Sequence, residues 1–212
     1  MTSDRDPHRA ARLLDTERDV LLPELRRTPS AAFDLPTICT GWSVRDVLAH
    51  CAAALTRVAN GNVHRFTPED NEADVEERRS WPLDRLLTEL ERGYSGAAPA
   101  LVAAGGRFDA IALGEWVHGG DVREPLGLAA PYASRGADDA LVLLTDRTRG
   151  RGVPRTRVHL PGRELDLGAG NAVAAELTTD VETLVRLCAG RRPDPARYEL
   201  TGALPADLLV FR

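Results

Sequence analysis

Glu115 and His118 are the pair in this sequence whose types and spacing could do most chemistry. On a helix read across residues 107–118 at about 100° per residue, Glu115 falls roughly 20° from Phe108 and His118 roughly 60° further on. Both therefore share the side that carries Phe108, Ile111 and Ala112. A carboxylate on an apolar face is costly if buried without a partner, so either the face opens onto a polar cleft or something neutralises the acid. A metal ion shared with the imidazole would do so; a plain Glu–His hydrogen bond is the simpler alternative. His50 adds a second imidazole, near the middle of an amphipathic helix and roughly 100° from the centre of its apolar stripe, where a ligand can point sideways into a groove or a histidine can simply pack. Together the three make two imidazoles and one carboxylate, a set suited to zinc with an open coordination position, or to iron or nickel. Arg123 could hold a substrate carboxylate through a bidentate pair; an ion pair with Asp121 or Glu124 is the alternative. His8 and His159 read as structural, and Trp42 and Trp116 as core.

These side chains need helices to position them. Residues 7–27 carry an apolar stripe of Leu13, Leu14, Val20, Leu21 and Leu25, and the prolines of 28–36 break it. Ser43 followed by Asp46 matches a capping box, starting a helix to about residue 60 whose stripe is Val44, Val47, Leu48, Cys51, Leu55 and Val58. Residues 61–80 are acidic and poor in large apolar side chains, which predicts a solvated linker, with His64 and Phe66 leaving a lid as the alternative. A helix over 82–103 has Gly93, Gly96 and Pro99 as weak points and ends at Gly105-Gly106. The helix bearing Glu115 and His118 is expected to stop at Gly119-Gly120. Four amphipathic helices favour an antiparallel bundle, and bundle cores assemble metal sites from facing side chains.

Beyond Gly127, 137–147 reads as helix, and the glycine- and arginine-rich stretch 149–155 as a boundary. The expected domains are therefore 1–148, helical, and 149–212, a small α+β module. In the latter, 156–160 and 164–167 flank Pro161-Gly162 as strand, turn and strand; 173–178 is a third strand, 180–189 a helix closed by Gly190, 198–201 a short strand and 205–211 a short helix. The arginines of 147–157 read as a solvated linker.

Composition narrows the partners. A net charge of -5 over 212 residues leaves no broad basic field for nucleic acid. No apolar run approaches the roughly 18 residues of a membrane span, and the first seven residues lack the apolar core of a signal peptide, so the expected compartment is the cytoplasm. Cys39, Cys51 and Cys188 are well separated and read as reduced cytosolic thiols. All 27 basic residues are arginine, a bias typical of a GC-rich genome. The oligomeric state stays open.

The stretches Thr40-Gly-Trp-Ser-Val-Arg-Asp-Val-Leu-Ala-His50 and Val117-His-Gly-Gly-Asp-Val-Arg-Glu-Pro-Leu-Gly127 resemble the two signatures of the mycothiol-dependent maleylpyruvate isomerase family. Leu184-Val-Arg-Leu-Cys-Ala-Gly-Arg-Arg192 with Tyr198-Glu-Leu-Thr-Gly202 resembles the small sterol-carrier-like domain that follows in many members. The resemblance implies a DinB-like four-helix bundle that holds zinc, and use of mycothiol, the thiol of actinobacteria. The family's zinc ligands are the histidine ending the first signature, the histidine opening the second and a glutamate one turn before the latter. The histidines transfer to His50 and His118. The glutamate usually stands four residues ahead of the second histidine, where this chain has Gly114; Glu115 stands three ahead and takes the role, with Asp121 as substitute. The implied activity is attack of the activated cofactor thiol on an electrophilic small molecule, as S-transfer or cis–trans isomerisation, with the substrate not legible. A non-catalytic small-ligand-binding module of the same fold is the rival. A regulator of anti-sigma type would need cysteine ligands at zinc spacing, which the three cysteines lack.

Overall fold

The apolar stripes become packing surfaces in the computed structural model, which describes residues 5–63 and 66–211. The chain divides into two compact units, with the boundary between Pro131 and Tyr132. The first holds α1 (Arg9–Arg27), α2 (Val44–Ala59), α3 (Pro68–Arg78), α4 (Leu83–Ala103) and α5 (Asp109–Arg123). Helix α2 packs along α4; α1 lies against α4 and α5, and α2 also meets α5. Leu13, Leu48, Leu55, Leu86, Leu90 and Tyr94 fill the core between them. The Ser43 side chain accepts from the Asp46 backbone N–H and Asp46 answers at Ser43, so α2 begins where the capping box puts it.

Gly93 and Gly96 are points of close approach rather than weak points. A Cβ on Gly93 would lie 2.8 Å from Leu55 Cβ, and one on Gly96 would lie 2.9 Å from Ala59 Cβ, so bare backbone lets α4 approach α2. Gly93→Val is expected to cost about 1–3 kcal/mol through overpacking, read as a lower urea midpoint; an unchanged midpoint would show that the helices have room to part.

Two sequence expectations are corrected in this unit. Residues 61–80 are not a linker: Thr67 and Asp70 form a second capping box with Pro68 in the first turn, and α3 follows. Its one large apolar anchor, Val75, is fully buried. Charge does the rest, with Arg78 gripping Glu89 at 2.7 and 2.9 Å and Arg57 paired to Asp74. A single apolar residue leaves no periodicity to read, which is why the acids looked like solvated coil. His64, on which the lid reading leaned, lies outside the described residues, as do Met1 to Asp4. The second correction is at Gly119-Gly120, which α5 runs straight through. A side chain at 119 would strike the Glu17 carboxylate and come within 2.7 Å of Arg123 Nη1, so the glycine answers to a packing demand and does not end the helix.

The second unit holds α6 (Ala137–Arg149), β1 (Thr156–Leu160), β2 (Arg163–Leu167), β3 (Ala175–Thr178), α7 (Val181–Ala189) and β4 (Glu199–Thr201). Its sheet runs β2-β1-β3-β4. The β1–β2 and β3–β4 pairs are antiparallel and β1–β3 is parallel. Helix α6 packs on β2, so the boundary between the units falls ahead of α6 rather than at residue 148. The arginines after it do not form a linker: Arg149 pairs with Asp146, and Arg155 and Arg157 both bind Asp166. The segment expected as a helix over 205–211 is a short 3-10 turn, Pro205–Leu208.

Helix α7 is capped by Asp180 and closed by Gly190 at φ 74°. Burial pushes the Asp180 carboxyl upward, but the Thr183 N–H and the Arg197 guanidinium outweigh it and hold it below its ordinary range. Such a group stabilises the fold fully above its unfolded pKa of about 3.9, and the gain is lost as pH falls through the lower folded value. Asp180→Ala is expected to cost about 1 kcal/mol at neutral pH, with the gap to wild type closing in strong acid; a gap independent of pH would refute the assignment.

The molecule is thus a helix-rich α+β protein with seven helices and a four-stranded sheet among the described residues. No helix among them is long and apolar enough to cross a membrane.

Candidate metal centre

Three segments of the first unit deliver the side chains of the site. Residues 36–43 form a closed loop ahead of α2, where Thr37 N–H donates to Trp42 O at 3.0 Å and Trp42 N–H donates to Cys39 O at 2.9 Å. The Thr37 hydroxyl donates to Trp42 O at 2.9 Å and accepts from Cys39 N–H at 3.2 Å. Gly41 turns the chain at φ 84°, a left-handed conformation that glycine adopts without steric cost. This closure fixes Cys39 and Trp42 against the start of α2. His50 comes from the middle of α2, and His118 and Asp121 from α5, one turn apart because α5 does not stop at Gly119.

The two imidazoles meet edge to face with ring centroids 5.1 Å apart, and the Trp42 ring lies 5.2 Å from that of His50. His118 Nδ1 is 2.9 Å from Asp121 Oδ2. The Cys39 thiol donates to that same oxygen at 3.2 Å and stands 3.9 Å from His118 Nδ1. Among the described residues, Cys39, His118 and Asp121 are a set whose ligand atoms all fall within 4.8 Å of one another. Asp121 is fully buried.

His50 is only 8% exposed, and its Nδ1 is buried with no hydrogen-bond partner among the described residues. Burial, then His118, then Arg57 hold its pKa down to about 3, so the ring is neutral and its lone pair available. A buried nitrogen without a partner carries a desolvation cost of about 1–3 kcal/mol. Beside a second imidazole, this orphaned nitrogen is a donor of the kind a borderline-soft divalent ion takes, and the neighbouring Cys39, His118 and Asp121 fit such an ion.

The sequence placed Glu115 and His118 on one buried side; Glu115 is buried, 3% exposed, while the His118 side chain is 20% exposed. Glu115 however takes a hydrogen bond from the Cys51 thiol, while its Oε2 has no partner among the described residues. Burial above all, with Glu17 adding, raises its pKa to about 8 against the opposing pull of Cys51 and Arg57. Of the two acids weighed from the sequence, Asp121 is the one in contact with His118. Among the described residues, Arg123 pairs with Glu17. It is buried and forks onto Glu17 at 2.6 and 2.9 Å, which leaves its charge engaged inside the helices and removes the ground for a substrate clamp. Trp42 is a wall of the site rather than core, its indole N–H held at 2.8 Å by Glu72 of α3. Cys39 was passed over in the sequence because no spacing rule connects it to His118; its one signal was its place directly before the Thr40-Gly-Trp signature.

Fold and site together define a helix-rich α+β protein with a partly buried imidazole, carboxylate and thiol cluster in its N-terminal helical unit. The sequence profile described as the mycothiol maleylpyruvate isomerase N-terminal domain matches residues 14–128, and the chain belongs to that family. The structure is similar to the crystal structure of the mycothiol-dependent maleylpyruvate isomerase, with a TM-score of 0.61 over 97% of this chain and 98% of that one, at 16% identity. A variant of that isomerase with a histidine changed to alanine is similar at a TM-score of 0.58 and 16% identity. At such identity the likeness establishes the fold. No curated protein matches in sequence.

Proposed function

We propose that this protein is a cytoplasmic, metal-dependent enzyme that uses mycothiol to attack an electrophilic small molecule, as a cis–trans isomerase or an S-transferase. The observation that carries this reading is the meeting of His50 and His118 at 5.1 Å with Asp121 bound to the latter and His50 Nδ1 left without a partner among the described residues. Membership of the family and the likeness to the mycothiol-dependent isomerase support it. His50, His118 and Asp121 would hold the ion, with zinc the best match to the donor set. Glu115, expected as the acid ligand, becomes the reserve to Asp121, nearly two turns earlier on α5. We read the first unit as a DinB-like bundle and the second as sterol-carrier-like.

A divalent ion bound there would favour thiolate over thiol in a cosubstrate whose ordinary pKa is near 8.5. The remaining work falls to the chain. Burial keeps His50 unprotonated, so that it donates a lone pair rather than repelling a cation. Trp42 packs against the His50 ring and is itself fixed by Glu72, which holds that imidazole in place. Asp121 Oδ2 stands 2.9 Å from His118 Nδ1, so that carboxylate and that nitrogen would face the same ion.

The test is to incubate zinc-loaded protein with mycothiol and a bimane electrophile, and separately with mycothiol and maleylpyruvate. Conjugate or trans product formed faster than without protein, and abolished by a chelator, is the expected result. A rate equal to the protein-free reaction in both assays would leave the protein as a ligand-binding module.

A further inference from the structure

We propose that Cys39 is a sulfur donor to the divalent ion, completing with His118, Asp121 and His50 a mixed nitrogen, oxygen and sulfur site. This rests on the metal-binding reading above and goes beyond the two imidazoles and one carboxylate that the sequence signatures supply.

The acid expected from the sequence, Glu115, is engaged by Cys51. The space beside His118 is taken instead by Asp121 from the same helix and by Cys39 from the loop before α2. Bonds of about 2.0–2.3 Å from zinc to nitrogen, oxygen and sulfur put the donor atoms of a tetrahedral site roughly 3.3–3.6 Å apart. The separations among Cys39, His118 and Asp121 are 2.9, 3.2 and 3.9 Å, so sub-ångström adjustments bring these three donors to the spacing of a coordination sphere. The loop that carries Cys39 is closed on itself by its own hydrogen bonds, which places the sulfur before any ion arrives. An independent pointer is the His50 ring, more than nine-tenths buried against His118 with a nitrogen unpartnered among the described residues.

Coordination balances simply. The Cys39 S–H bond breaks, a sulfur–metal bond forms, and the proton leaves to solvent, so each metal bound releases one thiol proton. Two consequences follow. A thiolate biases the site toward zinc or cobalt and away from magnesium or manganese. A fourth protein donor also occupies the position an incoming thiol needs, so the cosubstrate sulfur must displace Cys39 or expand the coordination number.

Cobalt(II) absorption on the full-length protein tests this without any activity assay. Wild type is expected to show an intense near-ultraviolet band from sulfur to cobalt, together with the visible bands of a tetrahedral ion. Cys39→Ser should lose the near-ultraviolet band and keep the visible bands, while Cys51→Ser keeps both. Visible bands in wild type without the sulfur band, or a sulfur band that survives Cys39→Ser, would overturn the proposal and leave the imidazole and carboxylate site standing. No cobalt bands at all in wild type would bring down both this proposal and the metal-dependent reading. Circular dichroism of each variant separates a lost ligand from a lost fold, and Cys39→Ala gives the same readout should the serine variant misfold.

Discussion

Replacing Arg123 by alanine is expected to remove about 3–5 kcal/mol of stability, the usual cost of breaking a buried ion pair on one side. Glu17 is fully buried and Arg123 nearly so, and their two parallel hydrogen bonds of 2.6 and 2.9 Å tie α1 to α5. Burial drives the Glu17 carboxyl upward and Arg123 opposes that shift. Without the guanidinium, Glu17 must either stay charged in the interior or take up a proton and leave polar atoms unsatisfied. A domain with a total stability of roughly 5–15 kcal/mol would lose a large share of it. The double variant Glu17→Leu with Arg123→Met is expected to recover most of the loss, because apolar replacements of similar size remove the desolvation cost along with the attraction. Urea denaturation of wild type, both single variants and the double variant gives the coupling energy directly. Additive losses would show that the pair does not act as a unit, and a loss under about 1 kcal/mol in Arg123→Ala would place its value with exposed pairs.

The second large effect concerns His118. It touches every other member of the cluster, reaching His50 by its ring and Asp121 and Cys39 by Nδ1. Its side chain is 20% exposed, so His118→Ala should fold while losing the ion. Changing mere outer-shell partners of a metal typically costs 10–100-fold, and removing a ligand is expected to lower kcat/KM by roughly a hundredfold or more. Asp121→Asn keeps the shape and an acceptor but removes the charge, and should fall between the two. Steady-state kinetics with mycothiol and a bimane electrophile, at saturating zinc, read both. An His118→Ala protein with wild-type kcat/KM would separate the activity from this cluster.

What the sequence disclosed, and what it withheld, follows from the range of each signal. The cap at Ser43 was legible because a side chain and the backbone three residues on satisfy each other locally. The helices of the first unit were legible wherever a stripe repeated, and α3 was not, because Val75 alone makes no stripe and its ion pairs reach to Arg57 of α2 and Glu89 of α4. The passage of α5 through Gly119-Gly120 depends on Glu17, roughly a hundred residues away in sequence, and no local rule contains it. The same distance hid the partner of Arg123. His50 and His118 were legible as a pair from their signatures, and the family profile bears out the signatures themselves. Cys39 needed the loop closure and the crossing of α2 with α5, both tertiary facts.

The proposed activity stands on a divalent ion held by His50, His118 and Asp121, and the most direct measurement is metal content after equilibrium dialysis against zinc. Elemental analysis is expected to find about one zinc per chain in wild type, as for a discrete mononuclear site, and next to none in His50→Ala or His118→Ala with circular dichroism unchanged. Wild-type protein that takes up no zinc, or variants that take up as much as wild type, would contradict it.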